Sequence, residues 1–209
     1  MLSVVIQDSG EDKVTQLTYE NLWRELKDME GIELLVGDWF TTPVKNKFVC
    51  FVEADCLVSS GYFSSMIGLM KKSSHDRRVA MLSPATSVEH WHNKFFGYFV
   101  GHNDKVIPNK ISKSSSVYPI QIGYVPGSII RTSALEKIKI EPTEDLVELS
   151  TNVSLAFWSH GDSDSVKGGS RVHLNPHSTY LTTEAEVNDI PNFDVNIDDL
   201  KEKFEREYV

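Results

Sequence analysis

The sequence predicts an α/β fold, a single domain whose mostly parallel central sheet is flanked by helices. Three observations predict it. Leu2–Ile6, Ile32–Val36 and Phe48–Val52 are short apolar runs without alternation, the pattern of strands buried on both faces. A helical pattern fills the interval between the first two, which gives the β-α-β order of a parallel sheet. Each run stops at acids: Asp8 after the first, Asp38 after the second, Glu53-Ala54-Asp55 after the third.

The elements follow in order. The polar turn Gln7-Asp8-Ser9-Gly10-Glu11-Asp12 leads into a helix over 14–30, with Leu17, Leu22, Leu26 and Met29 as its buried stripe, Trp23 beside it and Gly31 as its stop. A second helix spans about 60–72, where Tyr62, Phe63, Met66, Ile67 and Met70 recur at helical spacing. Core packing explains them without a cofactor. Lys71, Lys72, Arg77 and Arg78 read as a solvated basic turn rather than a phosphate site. Val79-Ala80-Met81-Leu82 is a further short strand. Residues 84–119, rich in His, Asn, Lys and Ser, with Trp91, Phe95, Phe96, Tyr98 and Phe99, read as an insertion or loop carrying acceptor contacts or a lid. His90 and His92 would share one side of a strand, but no third metal ligand stands near them in sequence. Residues 112–116 read as a mobile loop.

Strand character returns over 118–130, a helix begins over 131–138, and a long helix covers 144–160, ended by Gly161. Glu144, Asp145 and Glu148 in its first turns suit the helix dipole on that ground alone. After Gly168-Gly169, Arg171-Val172-His173-Leu174-Asn175-Pro176 is the expected last strand. From residue 184 the chain is acidic. Leu200, Phe204 and Tyr208 then predict an amphipathic helix, so that 1–183 forms the domain and 184–209 a tail.

A net charge of −9 argues against a broad basic surface for nucleic acid. Two cysteines, Cys50 and Cys56, build neither a disulfide framework nor a four-cysteine zinc site. With no signal peptide and no apolar stretch of bilayer length, the expected setting is cytoplasmic.

The chemistry concentrates in Lys45-Asn46-Lys47-Phe48-Val49-Cys50-Phe51-Val52-Glu53-Ala54-Asp55-Cys56. In open α/β sheets ligands bind at the carboxyl edge of the strands. An acid-x-acid pair there puts two hard oxygen ligands within reach of one divalent cation, which in turn holds a diphosphate. A solvated strand end followed by a helix cap is the plain alternative.

Four stretches together resemble the GT-A-fold, family 2-like glycosyltransferases, and they span about residues 2–182 in the family's order. FVCFVEADCLVSSGYFSSMIGLM resembles the strand, acid-x-acid motif and following helix, and is the most specific of the four. GYVPGSIIRTSALEKI resembles the acceptor-side turn and strand. The acids heading the 144–160 helix resemble the pair that supplies the catalytic base. Gly161 with the later RVHLNP resembles the segment that closes the core. The resemblance implies a Rossmann-like GT-A domain. It also implies transfer of a sugar from a nucleoside diphosphate sugar, UDP-sugar foremost, to an acceptor hydroxyl, with Mn²⁺ or Mg²⁺ and inversion.

On this resemblance Gln7, Asp8, Ser9, Asp38, Glu53 and Asp55 bind the donor, and Asp55 with Glu53 holds the metal. Asp145, Glu144 or Glu148 is the base, and Tyr124, Gly127 and Ser128 face the acceptor. Several positions depart from the family. Glu53 stands for the usual Asp. Thr182 stands where a histidine often completes the metal site, with His173 and His177 out of register. The 144–160 helix is about a turn longer than usual between its acid and its glycine. QDSGED resembles the motif that normally ends the second strand. Either the usual first strand is missing, or Leu2–Ile6 takes that role and Asp38 ends the second strand. The second arrangement is preferred, because losing an edge strand forfeits fewer hydrogen bonds.

The acceptor is open among a saccharide, a protein side chain, a small molecule and a hydroxylated base in phage DNA, where Lys94, Lys105, Lys110 and Lys113 would meet phosphates. A catalytically degenerate nucleotide-binding relative and a non-enzymatic α/β interaction domain are the alternatives. A sugar nucleotidyltransferase fits less well, for want of a Gly-rich phosphate loop with a basic residue near the N-terminus.

Overall fold

β1 (Leu2–Ile6) is buried over all five residues. Helix α1 (Asp12–Leu26) returns the chain to β2 (Ile32–Val36), which pairs in parallel with β1, Leu2 opposite Ile32. β3 (Phe48–Val52), also buried throughout, pairs in parallel on the other side of β1. Leu2–Ile6 is therefore interior and β2 is the edge. The edge position explains why β2 is only half-buried. The computed structural model describes residues 1–72, 79–88, 94–100, 106–110, 112, 115–140, 143, 145–159 and 171–182. Arg77, Arg78, His90, His92, Lys105, Lys113, Glu144, Gly161, Gly168, Gly169 and the tail 184–209 lie outside them.

The rest of the chain adds β4 (Leu57–Val58), α2 (Tyr62–Lys72), β5 (Val79–Val88), β6 (Lys94–Phe95), the hairpin β7 (Tyr98–Val100) and β8 (Val106–Pro108), and β9 (Tyr118–Pro119). After these come β10 (Ile129–Arg131), α3 (Thr132–Leu135), α4 (Leu146–Ser159) and β11 (Arg171–Thr182). The main sheet runs β2-β1-β3-β10-β5-β11-β4, with β6 on β5 and β9 on β11. β10 is antiparallel to both its neighbours, whereas β5 and β11 are parallel. α1 packs on β1 and β2, α2 on β5, β10 and β11, and α4 on β11.

Several expectations change. The core stripe of α1 is Thr15, Thr18, Leu22 and Leu26, while Leu17 is 61% and Trp23 48% exposed. The two threonines face inward because both hydrogen-bond at the carboxyl edge of the sheet, described below. The strand foreseen over 79–82 continues to Val88, through Ser83, Thr86 and Ser87, all buried. The ladder with β11 pairs the backbone, and the Ser83 hydroxyl donates to Tyr124 O and accepts the Tyr124 N–H. Along the same ladder the last strand runs to Thr182. It bulges between Asn175 and Thr179 opposite Pro84 and Ala85. The 118–130 strand is two short strands separated by a turn, and the 131–138 helix is a single turn.

Candidate active site

The carboxyl ends of β1, β2 and β3 and the head of α4 enclose a cleft of about 800 Å³. Gln7, Ser9, Asp38, Glu53 and Asp55 all reach its wall. Glu11 adds another carboxylate, and no Lys, Arg or His is among the lining residues.

On one side, Gln7 Oε1 accepts the Trp39 backbone N–H at 3.2 Å, which ties the end of β1 to the segment after β2. Ser9 Oγ lies 3.0 Å from Thr15 Oγ1 and accepts the Glu11 N–H, holding the turn on α1. Asp8 is exposed, and its Oδ1 accepts the Gly10 N–H at 3.0 Å; it stiffens the turn and is absent from the wall. Asp38 is exposed, followed by Trp39 and Phe40, which also line the cleft. Both rings pack on Phe51, at 5.9 and 4.6 Å between centroids. Trp39 Nε1 donates to Val52 O at 3.3 Å. Phe40 holds φ of 63°, a left-handed conformation that is uncommon for a bulky residue and clusters at functional turns.

Glu53 is 5% exposed and held by β11. Its Oε2 accepts the Tyr180 hydroxyl at 2.9 Å, and its Oε1 accepts the Thr182 hydroxyl at 2.7 Å. The Tyr180 oxygen in turn accepts the Glu53 N–H at 3.0 Å. Thr182, the residue in the histidine's place, thus serves the first acid of the motif. Thr18 of α1 donates to Ala54 O and fixes the turn from the other side. Asp55 is half-buried on the cleft wall. Burial pushes the Tyr180 phenol well up, helped by the charges near Cys56 and Glu53. Burial likewise pushes the Cys56 thiol up to about 12, although a Tyr180 hydrogen bond opposes this.

At the head of α4, Asp145 is the N-cap: its Oδ1 accepts the Val147 and Glu148 N–H groups at 2.9 and 3.0 Å. Glu148 Oε2 accepts the Thr143 hydroxyl at 2.9 Å. Thr143, Leu146 and Leu149 line the cleft; Asp145 and Glu148 stand beside it. Burial, then the charges of Asp145 and Glu53, raise the pKa of the buried Tyr98 phenol.

Tyr124, Gly127 and Ser128, expected to face the acceptor, are buried in the core. Tyr124 is 1% and Ser128 0% exposed, and the Ser128 hydroxyl donates to Tyr124 O. Gly127, at φ 75°, lies on the Tyr180 ring, and an added Cβ would sit 2.5 Å from it. The resemblance marked this turn correctly as a place for small residues, but the space is taken by Tyr180 and Tyr62. The sequence did not point to Trp39, Phe40 or Tyr180, nor to the bond from Thr182 to Glu53. An aromatic pair directly after an acid at a strand end was the available signal for the first two.

Among the described residues no group of three or more His, Cys, Asp or Glu could hold a metal. The donor set nevertheless fits a cation shared with a ligand, because Mg²⁺-type sites use one or two carboxylates plus substrate phosphates. The charged groups on this wall are all carboxylates, whose repulsion of a diphosphate a counter-cation would offset.

The fold is shared with solved structures of Staphylococcus aureus TarS. TarS 1–349 in complex with UDP-GlcNAc aligns with a TM-score of 0.57 at 14% identity, over 97% of this chain and 64% of that one. TarS 1–349 alone gives 0.56 at 12%, over 87% and 60%. The UDP complex gives 0.52 at 14%, over 87% and 60%. What the chain shares with TarS is an α/β architecture, a central mostly parallel sheet flanked by helices. The chain spans less than two thirds of the TarS chains it matches. No family model and no curated protein matches the sequence. Among the described residues no helix is long and apolar enough to cross a membrane.

Proposed function

We propose that the chain is a glycosyltransferase that binds a uridine diphosphate sugar in the 800 Å³ cleft and transfers the sugar to an acceptor hydroxyl. One observation carries the reading. Five of the six donor-binding residues implied by the resemblance line one cleft at the carboxyl edge of the sheet, in a fold shared with a protein solved with UDP-GlcNAc and with UDP.

Asp38 and Gln7 face the nucleoside, and Trp39 or Phe40 offers a ring for the base. Asp55 would hold the Mn²⁺ or Mg²⁺, with Glu53 braced behind it. When bound, the cation takes the charge that the leaving diphosphate gains. Asp145 uses Oδ1 in the helix cap, and its Oδ2 would take the acceptor proton. A base acting opposite the leaving group inverts the anomeric carbon. The Glu148–Thr143 bond makes Glu148 the weaker candidate.

Calorimetric titration with UDP, with and without Mn²⁺, tests the reading on the parent and on Asp55→Ala. The expected result is Mn²⁺-dependent binding that disappears in the variant, with UDP released from UDP-GlcNAc by the parent alone. Equal UDP binding in EDTA and in Asp55→Ala would overturn it. Metal-dependent binding without turnover of any UDP-sugar would mark a nucleotide-binding relative.

A further inference from the structure

A second cleft, of about 680 Å³, lies at the amino edge of the sheet, where Lys45, Lys47, Lys71 and Arg131 face the single carboxylate of Glu136. Topology builds it. Lys45-Asn46-Lys47 leads into β3, and Lys71 is in the last turn of α2. β10 runs antiparallel to β3, which carries Arg131 to a position opposite Phe48. At a rise of about 3.3 Å per residue, the length of β3 separates this cleft from Glu53 by about 17 Å. The two clefts share no lining residue.

The lining is primed with donors. Among the described residues the ammonium groups of Lys45, Lys47 and Lys71 have no carboxylate partner. The Asn46 side-chain amide and the Ser133 hydroxyl have no hydrogen-bond partner there either. Met1, Lys47 and Lys71 share this lining, and burial, then the charges of Lys71 and Lys47, lower the pKa of the Met1 amino group. Arg131 is a fixed wall: Nε donates to Val79 O at 2.6 Å, and the guanidinium carbon sits 5.6 Å from the Phe48 ring centroid. In a chain of net charge −9, this concentrates positive potential in one recess.

We propose that this cleft binds a phosphorylated small molecule carrying two or more negative charges, separately from the sugar donor. Ammonium groups suit phosphate oxygens as point charges, and the recess has the size of a small-ligand site.

Inorganic pyrophosphate is the probe, titrated by calorimetry into the full chain in EDTA at low salt, where the acidic donor cleft repels it. Saturable binding is expected, weakened at least tenfold in Lys47→Gln/Lys71→Gln and unchanged in Asp38→Asn and Asp55→Asn. Both lysines are exposed, so the double variant keeps the parent's thermal midpoint. The proposal is overturned by no binding to the parent, by equal binding to the double variant, or by a change confined to Asp38→Asn or Asp55→Asn, which would put the anion in the donor cleft.

Discussion

The Tyr180 hydroxyl grips Glu53 twice: it donates to the carboxylate at 2.9 Å and accepts the backbone N–H of the same residue at 3.0 Å. One phenol on β11 thereby sets both the backbone exit of β3 and the aim of its first acid. Tyr180→Phe leaves a buried N–H and a buried carboxylate oxygen without this partner. Such a loss costs about 3 kcal/mol of stability. Urea unfolding at neutral pH checks it, and a change below about 0.5 kcal/mol would show the clasp to be dispensable.

Gly127→Ala is expected to destabilise more than Gly10→Ala. Both residues have positive φ, 75° and 72°, but a Cβ at 127 meets the Tyr180 ring at 2.5 Å and one at 10 meets nothing within 4 Å. The Gly10 variant pays only for backbone conformation, about 1 kcal/mol. The Gly127 variant adds overpacking and loses about 3 kcal/mol or more. Equal thermal midpoints for the two variants would contradict the packing described.

Asp145→Asn and Asp145→Ala separate capping from catalysis. Asn caps a helix as well as Asp does, so the Asn variant keeps the parent stability, while Ala costs about 1 kcal/mol. If Asp145 is the base, both lose sugar transfer by 100-fold or more, on the order of what a general base supplies. Full transfer activity in the Asn variant would remove Asp145 from that role.

Trp39→Ala tests the ring wall. Loss of one base-stacking ring weakens nucleotide binding by about 1–3 kcal/mol. The readout is UDP affinity in Mn²⁺ set beside affinity for pyrophosphate in Mn²⁺, which has no base to stack. A parallel loss of both would point to a disturbed cleft.

Cys56 predicts alkaline instability. Its thiol is raised by burial from 9.0 to about 12 in the fold. Below pH 9 folded and unfolded chains both keep the proton, and this contribution is fully present. As pH climbs toward 12 only the unfolded chain releases it, and stability falls by about 1.4 kcal/mol per pH unit. Urea midpoints at pH 8 and pH 10.5 should diverge more in the parent than in Cys56→Ala.

The first half of the fold was legible because its strands are largely apolar, Ser3 and Glu33 excepted: β1 and β3 match the runs read from sequence, as do the five buried residues of α2. The second half was not. β5 and β11 bury Ser83, Thr86, Ser87, Asn175, Thr179 and Thr182, whose polarity reads as loop until the partner strand is known. The acids Asp38, Glu53 and Asp55 could be named from their strand ends, and they share one cleft. Glu53 could not be assigned its partners, since Tyr180 lies 127 residues away. The acceptor-side turn misled because glycine and serine suit an open pocket and a crowded core equally well.

The antiparallel β10 sits between β3 and β5, although some forty residues separate it from the end of β5. The two halves of the sheet therefore cannot be joined in the order in which a ribosome delivers them. A nascent chain that ends at Val88 holds β3 and β5 with their facing edges bare, and such edges template wrong pairings. Residues 129–131 act as a late wedge between them. Truncation before this wedge should yield aggregation, and long-range closure should make folding slow.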